Sequence, residues 1–273
     1  MVDDRQKHDG ERRTRPGSGG APRRGPRSER WSGPDRARQA QPQSIGAAAD
    51  RPQHDGPEIP PGVDAKQLAP DIRRELSTLD RATADAVARH LVAAGELIDE
   101  DPEAALSHAR AARARASRIA VVREAVGIAA YHCGDWAQAL AELRAARRMG
   151  SKSSLLALIA DCERGLGRPE RAIELARGPE AAQLSGDDAD EVRIVAAGAR
   201  ADLGQIEQAL TVLSTPQLLT GRTGSTAARL YYAYADTLLV LDRKDEALEW
   251  FLRSAAADTE GVTDAEDRVS ELG

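Results

Sequence analysis

The chain has 273 residues, of which 41% are apolar but only 3% aromatic, and a formal net charge of −6. A core with so few rings must be built from Ala, Leu, Val and Ile, and an alanine-rich interior favours closely packed helices, because Ala has the best helix propensity and lets backbones approach. Two cysteines without a CxxC pair exclude a disulfide framework, no apolar run reaches the ~18–20 residues that span a bilayer, and a sustained period-2 pattern that would argue for strands is missing.

The charge is split along the chain. Residues 1–63 carry 12 Lys/Arg against 9 Asp/Glu, net +3, and residues 64–273 carry 26 against 35, net −9. The first segment is rich in Arg, Gly, Pro, Ser, Asp and Gln, and its few large apolar residues are Met1, Val2, Trp31, Ile45, Ile59 and Val63. It cannot bury enough apolar surface to offset the entropy of ordering, so residues 1–63 are expected to form a disordered tail. Within it, ERRTRPGSGGAPRRGPRSERW loosely resembles RGG-type RNA-binding segments, in which Arg neutralises phosphates and an aromatic such as Trp31 stacks on a base. The plain reading of the tail is a solvated polyampholyte linker; the alternative is an RNA- or ribosome-associated protein whose basic tail contacts RNA. The hydrophilic N-terminus has no apolar segment of a secretory signal, and two reduced thiols fit a reducing compartment, so a soluble, cytoplasmic protein is expected. Pro57 to Asp64, PEIPPGVD, reads as the stiff boundary before a folded part at 64–273.

From Ala69 to Leu79 a helix is predicted: Pro70 and Asp71 suit its first turn, and Ile72, Leu76 and Leu79 share one face. Asp80 is the expected N-cap of the next helix. A helical hairpin then recurs. Its clearest copy is Ala120 to Met149, AVVREAVGIAAYHCGDWAQALAELRAARRM. One alanine marks the second helix of each copy, at Ala105, Ala139, Ala172, Ala209 and Ala247, with separations of 34, 33, 37 and 38 residues. The next residue is always aliphatic: Leu106, Leu140, Ile173, Leu210 and Leu248. Twelve residues earlier stands a small residue, Ala93, Gly127, Ala160, Ala197 or Ala235. Small sites at this spacing let the two helices of a hairpin cross closely. Gly134, Gly167 and Gly204 stand five residues ahead of the marker alanine and end the first helix in a left-handed conformation, whereas Glu100 and Asp242 hold that place in the outer copies. Pro102 and Pro169 sit near the first position of their second helices, and Asp135 can cap its own. Thr263 and Glu266 have capping-box spacing before a last helix at Asp264 to Leu272.

The period near 34, the small residue of the first helix, the turn glycine and the alanine of the second resemble the tetratricopeptide repeat (TPR). VGIAAYHCGDWAQALAELRAARRM matches best; GLGRPERAIELA and LGQIEQALTVL match in the turn and second helix, and ARLYYAYADTLLVLDRKDEALEWF matches in both helices without the glycine. HLVAAGELIDEDPEAALSHARAA is degenerate. The likeness covers roughly residues 80–260 and departs from the pattern where Ala, Val or Ile replace the usual Trp and Tyr of the first helix. An Arg-rich tail ahead of such repeats is also similar to actinobacterial proteins of that organisation, which implies no activity. The resemblance implies an all-α fold, an α-solenoid of about five TPR-like hairpins, and a non-catalytic scaffold without cofactor or small-molecule substrate. Its groove would take another protein as a peptide or helix. In such a superhelix the first helices line the concave face, which here places His90, Glu124, Ile128, Tyr131, Asp161, Arg164, Asp202, Tyr232 and Asp236 toward the groove. This mixed, rather acidic lining suits a partner with basic residues. Some family members grip a C-terminal carboxylate with Lys and Asn on successive first helices. His90, Ala94, Glu124 and Ile128 stand at those places and do not support that clamp.

Other features have plainer readings. Pro179 to Asp188 is a short loop, with a turn of helix near Glu180 to Leu184. Ser214 to Ser225 contains TGRTGST but lacks phosphate-loop spacing and a preceding strand, so it reads as a flexible loop followed by a helix capped by Ser225 or Thr226. Tyr231, Tyr234, Trp250 and Phe251 sit at core spacings, and Tyr232 is a candidate partner anchor. His132, Cys133 and Cys162 find no further ligands at zinc-site spacing. Ala109 to Arg118, ARAARARASR, reads as a basic, solvated helix face. No His stands with a Ser, Cys or carboxylate in a recognisable catalytic motif.

Overall fold

Helix follows helix from Pro70 to Leu272 in the computed structural model, which describes residues 56–273 apart from Ser153; among the described residues there is no strand. The helices are α1 (Pro70–Glu75), α2 (Arg81–Leu97), α3 (Pro102–Ala116), α4 (Ala120–His132), α5 (Trp136–Arg148), α6 (Leu156–Gly165), α7 (Pro169–Ala176), α8 (Gly186–Asp202), α9 (Ile206–Leu213), α10 (Ser225–Val240), α11 (Lys244–Ala257) and α12 (Ala265–Leu272). Short 3₁₀ turns occupy Ala65–Gln67, Leu76–Thr78, Ala181–Gln183 and Pro216–Leu219. Most of the expected tail, with Trp31 and the RNA contact, lies outside the described residues. No described helix is long and apolar enough to cross a membrane.

Local chemistry starts and stops these helices. Asp80, Asp101 and Asp135 each accept a hydrogen bond from a backbone N–H of the first turn, of Thr83, Ala104 and Gln138, at 3.0, 2.9 and 3.0 Å. Each satisfies one donor that an N-terminus leaves open. Pro102 and Pro169 stand at the first helical position. After α4, α6 and α8 the chain turns through Gly134, Gly167 and Gly204, all at φ 71°. In each turn the glycine N–H bonds the carbonyl three residues back, and the next N–H bonds the carbonyl five back, as with Gly134 to Tyr131 and Asp135 to Ala130, both 2.9 Å. Asp242 makes the same pair of bonds after α10, to Leu239 and from Arg243 to Leu238, at φ 58°. It is the one non-glycine at positive φ among the described residues. Asp242→Gly should therefore raise stability by about 0.5–1 kcal/mol, because a β-carbon is disfavoured there, a gain readable in the urea midpoint.

The helices pair in chain order. α2 packs on α3, α4 on α5, α6 on α7, α8 on α9 and α10 on α11, and each pair meets the next through its second helix. First helices also touch, α2 on α4, α6 on α8 and α8 on α10, and α12 closes against α11. The five marker alanines, Ala105, Ala139, Ala172, Ala209 and Ala247, are all 0% exposed. The small residues twelve positions earlier are buried as well. At Gly127 the approach is close: a β-carbon would lie 2.7 Å from Leu143 Cγ and 3.1 Å from its backbone nitrogen. Interiors packed this tightly feel each added methyl group.

Among the described residues three carboxylates are buried between helices, each held by two arginines. Glu142 of α5 meets Arg113 of α3 at 3.1 Å and Arg123 of α4 at 2.9 Å. Glu163 of α6 meets Arg144 of α5 and, as a charge contact at 2.7 Å, Arg168 just before α7. Asp190 of α8 meets Arg193 one turn on and Arg222 from the segment before α10. All three acids are buried, Asp190 completely. An ionised carboxylate leaves water only when paired and hydrogen-bonded, so these clamps fix how successive helices dock.

The structure departs from the sequence-based expectations in several places. Thr263 and Glu266 form no capping box: the Thr263 hydroxyl and N–H both donate to Asp258 Oδ2, at 2.7 and 2.8 Å, and α12 begins without a side-chain cap. Neither Ser225 nor Thr226 caps α10; Gly224 holds that position, and the Ser225 hydroxyl donates to Glu260 at 2.6 Å. The segment 214–225 is anchored rather than loose, with Leu218 buried, Arg222 paired to Asp187 and Asp190, and the Gly224 N–H on the Ala257 carbonyl at 2.9 Å. The basic stretch 109–118 is solvated, as expected, at the exposed Arg110 and Arg118, and packed on its other face. Its alanines Ala109, Ala111, Ala112 and Ala116 are buried, while Arg113 reaches Glu142 and Arg110 reaches Gln138 and Asp135. Of the core aromatics, Tyr231 and Phe251 are buried, and Tyr234 meets Trp250 edge-on at 4.9 Å.

Candidate functional site

Three successive first helices bring four of the expected groove residues into one connected row. The Tyr131 hydroxyl, from the last turn of α4, donates to Asp161 Oδ2 on α6 at 2.5 Å. Arg164, one turn further along α6, donates to Asp161 Oδ1 at 2.7 Å and to both oxygens of Asp202 on α8, at 2.8 and 3.2 Å. Burial, the hydrogen bond to Asp161 and the charge of Asp161 push the Tyr131 phenol well above its ordinary pKa, so it remains a donor. A planar guanidinium is suited to such a two-carboxylate bridge.

Two glycines make room for this row. Gly165, at the end of α6, lies under the Trp136 ring, and a β-carbon there would stand 2.5 Å from the ring. Trp136 in turn meets Tyr131 edge-on, with 5.2 Å between centroids and 77° between planes. Gly198 of α8 lies under the Arg164 guanidinium, where a β-carbon would stand 2.7 Å from Cζ. Gly198→Ala should leave the fold intact, because only the far end of a flexible side chain must move, but it should displace Arg164 from Asp202. Loss of the coupling between Arg164→Ala and Asp202→Ala in a double-mutant cycle would report it. Above the row opens a cavity of about 530 Å³, lined by Trp136, Asp161, Arg164, Gly165, Pro169 and Asp202 among others.

The remaining expected residues stand elsewhere. His90 does not face a groove: it is 3% exposed, and its Nδ1 lies 3.0 Å from Nδ1 of His108, equally buried, across the α2–α3 hairpin. Burial, then Arg115, His108 and Arg89, lower its pKa to about 4. Glu124 is half-buried and accepts from the Ser151 hydroxyl at 2.7 Å. Ile128 packs against the buried cluster of α4 and α5. Tyr232 sits edge-on to Phe251 at 5.2 Å, and its pKa is raised to about 12 by burial and by its hydrogen bond to Asp264 at the start of α12. Asp236 meets Arg268 of α12 at 3.5 Å. The last helix thus engages the side chain expected to anchor a partner.

Both thiols are held in their protonated form. Cys162 is buried in the core with its pKa pushed up to about 12 by burial, and the Cys133 thiol donates to the Pro102 carbonyl at 3.1 Å. A thiol kept protonated is a poor nucleophile and ligand. His132 is exposed and apart from them in direction, and no three His, Cys, Asp or Glu side chains gather as a metal site among the described residues. Trp136, Gly165 and Gly198 are the site residues that sequence reasoning missed. Their signal was available: glycines inside helices, at positions where the other copies keep a side chain, mark a close approach. Comparison with protein-family models gives no match, and comparison with the curated proteins gives none.

Proposed function

We propose that this chain is a non-catalytic scaffold, an α-solenoid of about five TPR-like hairpins that holds a partner peptide or helix along the face of its first helices. The observation that carries this reading is the row Tyr131–Asp161–Arg164–Asp202, laid across α4, α6 and α8 beneath an open cavity walled by Trp136. Two carboxylates against one guanidinium leave the cavity net acidic, so the favoured occupant carries a basic side chain over the Trp136 face. The protonated Tyr131 and the doubly bridged Arg164 are pre-organised contacts, which lowers the entropy lost on binding. Chemistry at this place would need a free acid, base or nucleophile, and the groups here are engaged with one another.

The test compares partner capture by the wild-type chain with capture by Trp136→Ala and Asp202→Lys. A desolvated aromatic at the centre of an interface carries about 2 kcal/mol or more, so Trp136→Ala should weaken the complex at least about thirtyfold. Both variants should keep the wild-type far-UV spectrum. Equal capture by all three would remove the reading.

A further inference from the structure

A second place in the molecule holds a positive charge that no carboxylate among the described residues neutralises. Arg200, in the last turn of α8, is only 8% exposed. Its Nη1 donates to Gln205 Oε1 at 2.9 Å, while its Nε is buried without a hydrogen-bond partner. Among the described residues no carboxylate pairs with it. An arginine stays charged at any physiological pH, and a buried charge without a counter-ion is among the costlier features a fold can carry. The carbonyl end of α8 offers this cation some favourable potential but no acceptor for Nε.

Arg200 lines a small cavity of about 100 Å³ between α7, α8 and α9. Two further arginines stand at its rim. Arg177, at the C-cap of α7, is exposed and makes no ion pair among the described residues; Arg193 pairs with Asp190. The walls are aliphatic, with Ile173, Val192 and Val212, and among the described residues no acidic one lines the space. The cavity is smaller than one that holds a benzene ring, which needs roughly 150 Å³. The complementary ligand is therefore a single anionic head on a short branched aliphatic body. A bare phosphate would satisfy the arginines and leave the apolar walls unfilled.

We infer that the cavity between α7, α8 and α9 is a carboxylate-binding site in which Arg200 and Arg177 hold the acid while Ile173, Val192 and Val212 enclose a short aliphatic group. Such a carboxylate has two sources, a free short-chain acid or the C-terminal residue of a peptide, and both present the same chemistry. The site lies away from the Trp136 row and involves none of its residues, so either can fail without the other.

The experiment is a thermal-unfolding titration of the full chain with isovalerate, with acetyl-Gly-Val bearing a free carboxylate, with its C-terminal amide and with inorganic phosphate. Ligand that binds only the folded state raises the midpoint saturably. At least one of the two carboxylates should do so, the tighter one identifying the source, and the amide should not. Arg200→Met should remove the shift while raising the stability of the ligand-free chain, because an unpaired buried charge is gone; an arginine with a merely structural role would lower it. Arg177→Ser, at an exposed position that does not endanger folding, should weaken binding at least about tenfold, the worth of one charge-assisted hydrogen bond. No saturable shift with either acid, an equal shift with the amide, or an unchanged shift in both variants would overturn the assignment.

Discussion

Replacing Asp190 by alanine should destabilise the protein by about 3–5 kcal/mol, the expected cost of breaking a buried ion pair from one side. Asp190 is 0% exposed and holds Arg193 of its own helix and Arg222 from the segment before α10. Arg222 in turn pairs with Asp187, and its backbone N–H donates to the Tyr231 hydroxyl at 3.2 Å. Removing the carboxylate takes from Arg193 its ion-pair partner, leaves Arg222 with the exposed Asp187 alone, and loosens the segment that leads into α10. The loss should be read in urea unfolding monitored by circular dichroism. It should change little with added salt, since a buried pair is weakly screened. Adding Arg222→Met to the variant should recover part of it. A loss within 0.5 kcal/mol of zero, the range of ordinary surface substitutions, would mean that the buried clamps do not hold the helix pairs together.

Between pH 6.5 and 4 the protein should lose on the order of 2–3 kcal/mol of stability through His90. Its folded pKa is about 4 against an ordinary 6.5, lowered by burial and by Arg115, His108 and Arg89; each unit of difference is worth about 1.4 kcal/mol. A depressed folded pKa means that the unfolded chain takes up the proton first. The contribution is therefore fully present above pH 6.5, falls as the pH is lowered through this window, and levels off below about pH 4. His108, whose pKa is also lowered by burial, shifts the loss in the same direction. The Nδ1-to-Nδ1 contact of 3.0 Å allows only one donor, so a proton on both nitrogens breaks it. The carboxylates of Asp80, Asp258 and Glu246 have lowered pKa values, and their contribution is lost further down the pH scale. Urea unfolding at half-unit steps of pH should trace the curve, and a His90→Asn, His108→Asn double variant should flatten it. A wild-type curve flat from pH 6.5 to 4 would contradict the buried pair.

The parts of the fold legible in the sequence were those that repeat. A marker alanine returning once per hairpin, with a small residue twelve positions before it, has one physical use, a close helix crossing, and all five alanines are fully buried. Turn glycines are legible because a left-handed turn leaves almost no other choice, and Asp242 shows the same turn surviving without one. The buried acids were not legible. Glu142, Glu163 and Asp190 look like any solvated helix charge, since their arginine partners lie up to 32 residues away. His90 failed for a related reason: its helix position points it toward the groove side by simple counting, while His108 on the facing helix offers a partner that pairwise counting does not see. The ends of the last helices were misread because Asp258 competes for Thr263 and Glu260 for Ser225. At the candidate site, Tyr131, Asp161, Arg164 and Asp202 were legible as one face; the wall formed by Trp136 on Gly165 depended on packing between pairs.

The central claim is that first helices share a face which receives a partner. Site-specific photo-crosslinking is the sharpest check, with a photoreactive residue placed at the exposed Ala201, beside Asp202 in α8, and, as control, at Arg171, a two-thirds exposed side chain of the second helix α7. One protein should crosslink from Ala201 and not from Arg171, and Trp136→Ala should abolish it. The same protein crosslinked from Arg171 alone, or from both places with Trp136→Ala without effect, would refute the shared face.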